Sequence, residues 1–129
     1  MMPHDLQMLV WSAVLALVEM LIAVLAAIAA VGLPALVGNR EGLPPFTGLA
    51  LRAQRAHLNM IENLAIFAIF VIVAQLTGRS NVTTALGATL FFWARLVYAI
   101  VYLAGIPWVR TAVWAVSFVG MVMVGSQLI

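Results

Sequence analysis

Four long apolar runs fill most of the chain, separated by short polar punctuation. The first extends from about Leu6 to Val31 and stops at Gly32-Leu-Pro34. The second begins near Thr47 or Gly48 and runs to Leu76, the third covers about Val82 to Ala104, and the fourth about Pro107 to Gln127. Each is near the roughly 20 residues that a helix needs to cross the hydrocarbon core of a bilayer. The segment Gly38-Asn-Arg-Glu-Gly-Leu-Pro-Pro45 between the first two is dense in helix breakers and charge. Thr77-Gly-Arg-Ser80 and Gly105-Ile-Pro107 are tight turns, with Ser80 or Asn81 suited to an N-cap and Pro107 to the first turn of the last helix. This pattern predicts one all-α domain over residues 1–129, an integral membrane four-helix bundle with up-down-up-down connections.

Composition points the same way. Of 129 residues, 66% are hydrophobic and 8% charged, where a soluble domain carries about 25% charged residues. Mean hydropathy is +1.17. The acids are Asp5, Glu19, Glu41 and Glu62; the bases are Arg40, Arg52, Arg55, Arg79, Arg95 and Arg110, without a lysine. Because these arginines lie in or beside spans, the excess of base does not signal nucleic-acid binding. The lack of cysteine excludes disulfides, thiolate catalysis and cysteine metal sites, and no metal centre is expected. The first apolar run is too long for a signal peptide and lacks a basic leader. Arg40, Arg52, Arg55 and Arg110 collect at one end of the bundle and Arg79 stands alone at the other. The positive-inside rule therefore places the arginine-rich end in the cytoplasm and both termini outside.

The strongest functional signal lies at the head of the second span. Ionisable side chains in lipid are costly and normally face a protein interior or a wet cavity. At about 100° per residue, Arg52, Arg55, Asn59 and Glu62 fall within an arc of about 80°, with His57 pointing elsewhere. On the third span Arg95, Tyr98 and Tyr102 share one face at i, i+3 and i+7. The fourth opens with Arg110 and Thr111, with Trp114 one turn beyond Arg110. Several arginines and few carboxylates ask for an anion with more than one carboxylate, since the guanidinium fork matches that group. Glu62 offers an acceptor for an ammonium, and Asn59 both donates and accepts. A tyrosine hydroxyl or guanidinium beside a thiol favours its thiolate. A zwitterionic peptide that carries a thiol fits the inventory.

The string Arg55-Ala-His-Leu-Asn59-x-x-Glu62-Asn63, followed by Phe67, resembles the second-helix signature of the MAPEG proteins, membrane-associated proteins in eicosanoid and glutathione metabolism. Arg95-x-x-Tyr98-x-x-x-Tyr102 and the arginine after the proline turn, Arg110, are similar to the family pattern. The resemblance spans Leu6 to Leu128, and the loop before the second span is similar to that of small bacterial members, which implies a bacterial inner membrane. Two positions depart from the pattern. Ile66 stands where many members have a proline that kinks the helix, and Trp114 stands where some place a tyrosine.

The resemblance implies a homotrimer with glutathione as cosubstrate, bound between neighbouring protomers, and a lipophilic small molecule or lipid as the second substrate. Arg55, Asn59 and Glu62 match its glutathione-holding positions on the second helix, with Arg52 beside them. Tyr98 and Tyr102 match contacts on the third helix, where Arg95 adds a cation. Arg110 lies near the arginine that stabilises the thiolate, with Tyr102 as the alternative donor. The implied activity is a glutathione-dependent transferase or peroxidase acting on lipophilic electrophiles. Two other classes compete with it: a proton-coupled exporter using Glu19, and a lipid-binding scaffold without turnover. Four arginines in the cavity would repel an exporter's cationic cargo. Glu19 also reads as a buried partner, since it and Glu62 are the carboxylates available to Arg95.

Overall fold

The first helix begins straight after Pro3 and runs unbroken through the apolar run, because no residue between His4 and Val31 breaks it. The computed structural model describes all 129 residues, arranged as α1 (His4–Val31), α2 (Leu33–Val37), α3 (Gly48–Leu76), α4 (Val82–Ala104) and α5 (Pro107–Ser126). The short α2 was not expected from the pattern. It forms because Gly32, at φ 82°, turns the chain sharply and Pro34 restarts it with a favourable helical φ. The chain is all-helical, and the four long helices are long and apolar enough to cross a membrane. With Ile66 in place of a proline, α3 continues as one helix of 29 residues.

The ends of α4 are set by local chemistry. Asn81 and Thr84 form a capping box: the Asn81 side chain accepts from the Thr84 amide at 3.1 Å, and the Thr84 hydroxyl oxygen accepts from the Asn81 amide at 2.9 Å. At the other end Gly105 takes the left-handed conformation, φ 81°, while the Gly105 and Ile106 amides donate to the Tyr102 and Val101 carbonyls at 3.0 and 3.2 Å. This Schellman turn lets Pro107 open α5 two residues later.

Inside the bundle, Met60, Phe67 and Val71 of α3 meet Phe91 of α4 and Val124 of α5, with Leu15 and Ala16 of α1 closing the cluster. Phe67 and Phe91 stack with ring centroids 4.0 Å apart. Helices α4 and α5 approach at Gly87 and Gly120: a Cβ on Gly120 would lie 2.6 Å from the Gly87 carbonyl oxygen. Contact of this kind through small residues is how helices associate where lipid removes the hydrophobic drive. The outer faces carry large apolar side chains such as Trp11, Leu17, Leu25, Ile69, Trp93 and Phe118, so the chain is an integral, multi-pass membrane protein. Polar groups are gathered inward instead: Asp5, Ser12, Glu19, Asn63, Thr84, Arg95 and Ser117 are buried.

Long helices consecutive along the chain run antiparallel, so α1 and α4 run parallel. The start of α1 meets the start of α4, where Asp5 accepts from the Thr84 hydroxyl at 3.1 Å. The start of α3 meets the end of α4, where Arg52 Nε donates to the Leu103 carbonyl at 3.1 Å. One end of the bundle thus holds both termini and the α3–α4 turn; the other holds the α2–α3 loop and the α4–α5 turn.

Candidate functional site

Which way each polar residue of α3 points follows from the helix itself. The buried face of α3 carries Ala53, Ala56, Met60, Asn63 and Phe67. At about 100° per residue, the Arg52–Arg55–Asn59–Glu62 stripe is centred roughly 100° around from that face. Its nearer members, Arg52 and Asn59, lean inward and are half-buried, whereas Arg55 and Glu62 turn out and are exposed. One protomer therefore divides the stripe in two.

The inward members join α4. Arg52 reaches the last turn of α4 through the Leu103 carbonyl, and its guanidinium packs beside Gly105. Arg95 is 1% exposed, and its Nη2 donates to Asn59 Oδ1 at 2.7 Å. Asn63 Nδ2 lies 3.3 Å from the same oxygen and 2.8 Å from the Asn59 carbonyl. The Arg95 guanidinium sits over the Tyr98 ring at 4.2 Å, Tyr98 meets Tyr102 edge-on at 5.5 Å, and Arg110 of α5 sits over the Tyr102 ring at 4.6 Å. Each stacked cation is held by the ring face, while the edge of its planar guanidinium remains the place where N–H groups donate.

Asn59, Tyr98, Arg110, Thr111 and Trp114 line a recess of about 140 Å3 at this end of the bundle. Arg110 lies in the first turn of α5, where unpaired amides and the helix dipole also favour an anion. Among the sequence-derived candidates, Asn59, Tyr98 and Arg110 line the recess. Tyr102 supports Arg110, and Arg95 fixes Asn59 from behind. Arg52 ties α3 to α4, and Arg55 and Glu62 lie on the exposed side. Thr111 and Trp114 complete the wall, as their positions at i+1 and i+4 from Arg110 allow. Glu62 is not the partner of Arg95; the Asn59 amide is.

A recess of this size is less than half the ~300 Å3 at which small-molecule pockets begin. It resembles one wall of a site, with Arg55 and Glu62 exposed beside it. On the opposite side of α3, His57 and Gln54 rim a separate, mainly apolar groove of about 280 Å3 between α1 and α3. The network that sequence reasoning missed lies at the far end of the molecule, around Asp5. The Asp5 carboxylate accepts from the Gln75 side-chain amide, from the Ser80 hydroxyl at 2.7 Å, from the Thr84 hydroxyl at 3.1 Å and from the Leu6 amide at 3.1 Å. Its signal was the seven-residue spacing of Asp5, Ser12 and Glu19, which puts three polar groups on one seam of an otherwise apolar helix.

Fold and recess together define a polytopic helical membrane protein with an arginine- and tyrosine-lined recess at one end. The MAPEG family model matches residues 8–129, nearly the whole chain, and the chain belongs to that family. No curated protein and no solved structure matches the chain.

Proposed function

We propose that the protein is a glutathione-dependent membrane enzyme that conjugates or reduces lipophilic electrophiles. The observation that carries this reading is the alternation Arg95–Tyr98–Tyr102–Arg110, two guanidiniums each stacked on a tyrosine, opening beside the Asn59 amide. Membership of the MAPEG family supports the thiol peptide as the ligand and leaves the exporter reading without support. In this reading Arg55, Asn59 and Glu62 hold the peptide's carboxylates and ammonium, assisted by Arg52, Arg95, Tyr98 and Tyr102. Arg110 faces the sulfur.

The chemical demand on Arg110 is specific. A free thiol has a pKa near 8.5, so at neutral pH only a few per cent is thiolate. A neighbouring cation lowers that pKa, and each unit is worth about 1.4 kcal/mol. The thiol proton leaves to water, and the thiolate sulfur then attacks an electrophilic carbon. A sulfur–carbon bond forms, and on a chloro-nitrobenzene the carbon–chlorine bond breaks with release of chloride. With a hydroperoxide, two glutathione molecules supply two electrons: the oxygen–oxygen bond breaks, and alcohol, water and the disulfide form.

The small volume of the recess and the exposure of Arg55 and Glu62 support completion of the site by a second protomer in a homotrimer. The arginine-rich end faces the cytoplasm on the charge argument above, and the resemblance of the loop before the second span supports a bacterial inner membrane.

Replacement of Arg110 tests the reading. Arg110→Ala should lower turnover about a hundredfold, equivalent to about 2.7 kcal/mol, and move the pH–rate profile upward, because a thiol deprived of its cation ionises only at higher pH. The thiolate absorbance of bound glutathione should fall in parallel. Equal losses of binding and rate with an unmoved pH profile would reassign Arg110 to carboxylate recognition. Glutathione binding without turnover on chloro-nitrobenzene or hydroperoxide would leave the non-catalytic scaffold. Mass measurement in mild detergent tests the trimer, and monomer alone would overturn it.

A further inference from the structure

Glu19 sits in the middle of α1, 4% exposed, and both its carboxylate oxygens are buried without a hydrogen-bond partner. Across the bundle, Arg95 Nε and Nη1 are buried and unmatched as well. Buried polar groups are nearly always satisfied, so two complementary unmatched groups in one interior call for an explanation. Helices α1 and α4 start together at the Asp5–Thr84 contact. Glu19 lies fourteen residues beyond Asp5 and Arg95 eleven beyond Thr84. At about 1.5 Å per residue the two groups descend to within about 5 Å of the same depth. Both are buried, so charge on one acts on the other through an interior of low dielectric.

The consequence reaches the recess through Asn59. Its Oδ1 is occupied by Arg95 Nη2 at 2.7 Å and approached by Asn63 Nδ2 at 3.3 Å. With the oxygen turned inward, the Nδ2 group is what Asn59 offers to a ligand, and it is a donor only. Were the amide reversed, the recess would present an acceptor to an anion. The orientation of one amide thus sets the sign of a contact, and Arg95 sets the orientation.

We propose that Glu19 is a positioning residue: its carboxylate is the counter-charge that holds the Arg95 guanidinium, so that Arg95 fixes Asn59 with its amide nitrogen toward the bound anion. The ligand assignment rests on the function proposed above; the orientation of Asn59 does not. In the low-dielectric interior this coupling does not need direct contact, and a water-mediated contact serves equally. Glu19 thereby acts on recognition without touching the ligand. This differs from a packing role in what it moves: removing one charge of a buried pair costs stability in either case, but only a positioning role also turns the Asn59 amide and changes ligand affinity.

The test uses the full chain in detergent. Glu19→Gln keeps the shape and removes the charge. It should lower thermal stability, because Arg95 is left buried without its counter-charge, shift the side-chain amide resonances of Asn59 (identified by their loss in Asn59→Ala), and weaken glutathione binding by the folded protein about tenfold. In an Asn59→Ala background the same substitution should change affinity less than twofold, because the residue it acts through is gone. Glu19→Asp, which retains the charge, should bind within threefold of the parent and serves as the second variant if the glutamine form folds poorly. Unmoved Asn59 resonances in Glu19→Gln, or affinity losses that multiply in the double variant, would overturn the proposal. If the parent chain binds no glutathione, the functional reading fails, and the Asn59 resonances still decide the positioning role.

Discussion

Two carboxylates on one helix, Asp5 and Glu19, have opposite surroundings. Both are almost fully buried, at 1% and 4% exposed, and both lie on the same seam of α1. Asp5 accepts hydrogen bonds from Leu6, Gln75, Ser80 and Thr84, while the oxygens of Glu19 have none. At the Asp5 end, further bonds bind the elements: Asn81 Nδ2 donates to Gln127 at 2.8 Å, Arg79 donates to the Leu128 carbonyl at 2.6 Å, and His4 meets Thr89 at 2.7 Å. At the arginine-rich end, cations are held by aromatic faces and one amide; Arg110 lines the recess, while the remaining donors of Arg95 are buried without a partner. The contrast separates structure from function by a physical criterion. A buried charge whose bonds are all made locks the fold, whereas one left unmatched keeps its interaction energy for another group.

If this contrast holds, substitutions at the two ends should damage different properties. The largest effect is expected for Asp5→Ala, which leaves the Gln75, Ser80 and Thr84 donors facing an apolar gap. Unfolding in detergent should show a loss of about 3 kcal/mol, while the glutathione affinity of the folded fraction stays within twofold. A matching loss of affinity would mean that the two ends are not independent.

Gly120→Ala should cost somewhat less, about 2 kcal/mol. Its new methyl would lie 2.6 Å from the Gly87 carbonyl and 2.8 Å from the Phe91 amide, both of them backbone atoms that cannot turn aside. The measurement is again stability, and an unchanged midpoint would show that α4 and α5 separate more easily than their contact implies.

Arg55→Ala should give the smallest stability change, within about 0.5 kcal/mol, because the side chain is exposed. Its expected effect is on the ligand: glutathione binding weakened at least tenfold, about 1.4 kcal/mol, by isothermal titration in detergent. An unfolded Arg55→Ala variant with normal affinity in its folded fraction would invert the assignment and make the stripe a structural one.

The spans were legible because hydrophobicity over some 20 residues is a one-dimensional quantity. The α3 and α4 breaks were too, since Gly105-Ile-Pro107 and Asn81-x-x-Thr84 encode their own caps. The stripe on α3 was legible only as an arc. Helical periodicity groups Arg52, Arg55, Asn59 and Glu62, but it does not say which edge of the arc faces the neighbouring helices. That depended on which side of α3 buried its alanines, Met60 and Phe67. The short α2 escaped because five residues bounded by glycine carry no periodic signal, and the Asp5 network because its partners come from positions 75, 80 and 84.

By itself, the sequence determined that this chain lives in a membrane, about where its four long helices begin and end, and which residue types it carries at depth. These follow from local properties: apolar length, breaker residues and the cost of charge in lipid. Only the tertiary structure decided the pairings, namely that Arg95 takes Asn59 rather than Glu62, that Arg110 rests on Tyr102, and that Glu19 is left unmatched while Asp5 is saturated. A hydrogen bond or stacked cation depends on distance and angle between groups that the chain separates by tens of residues, and the packing of α1, α3, α4 and α5 sets those distances.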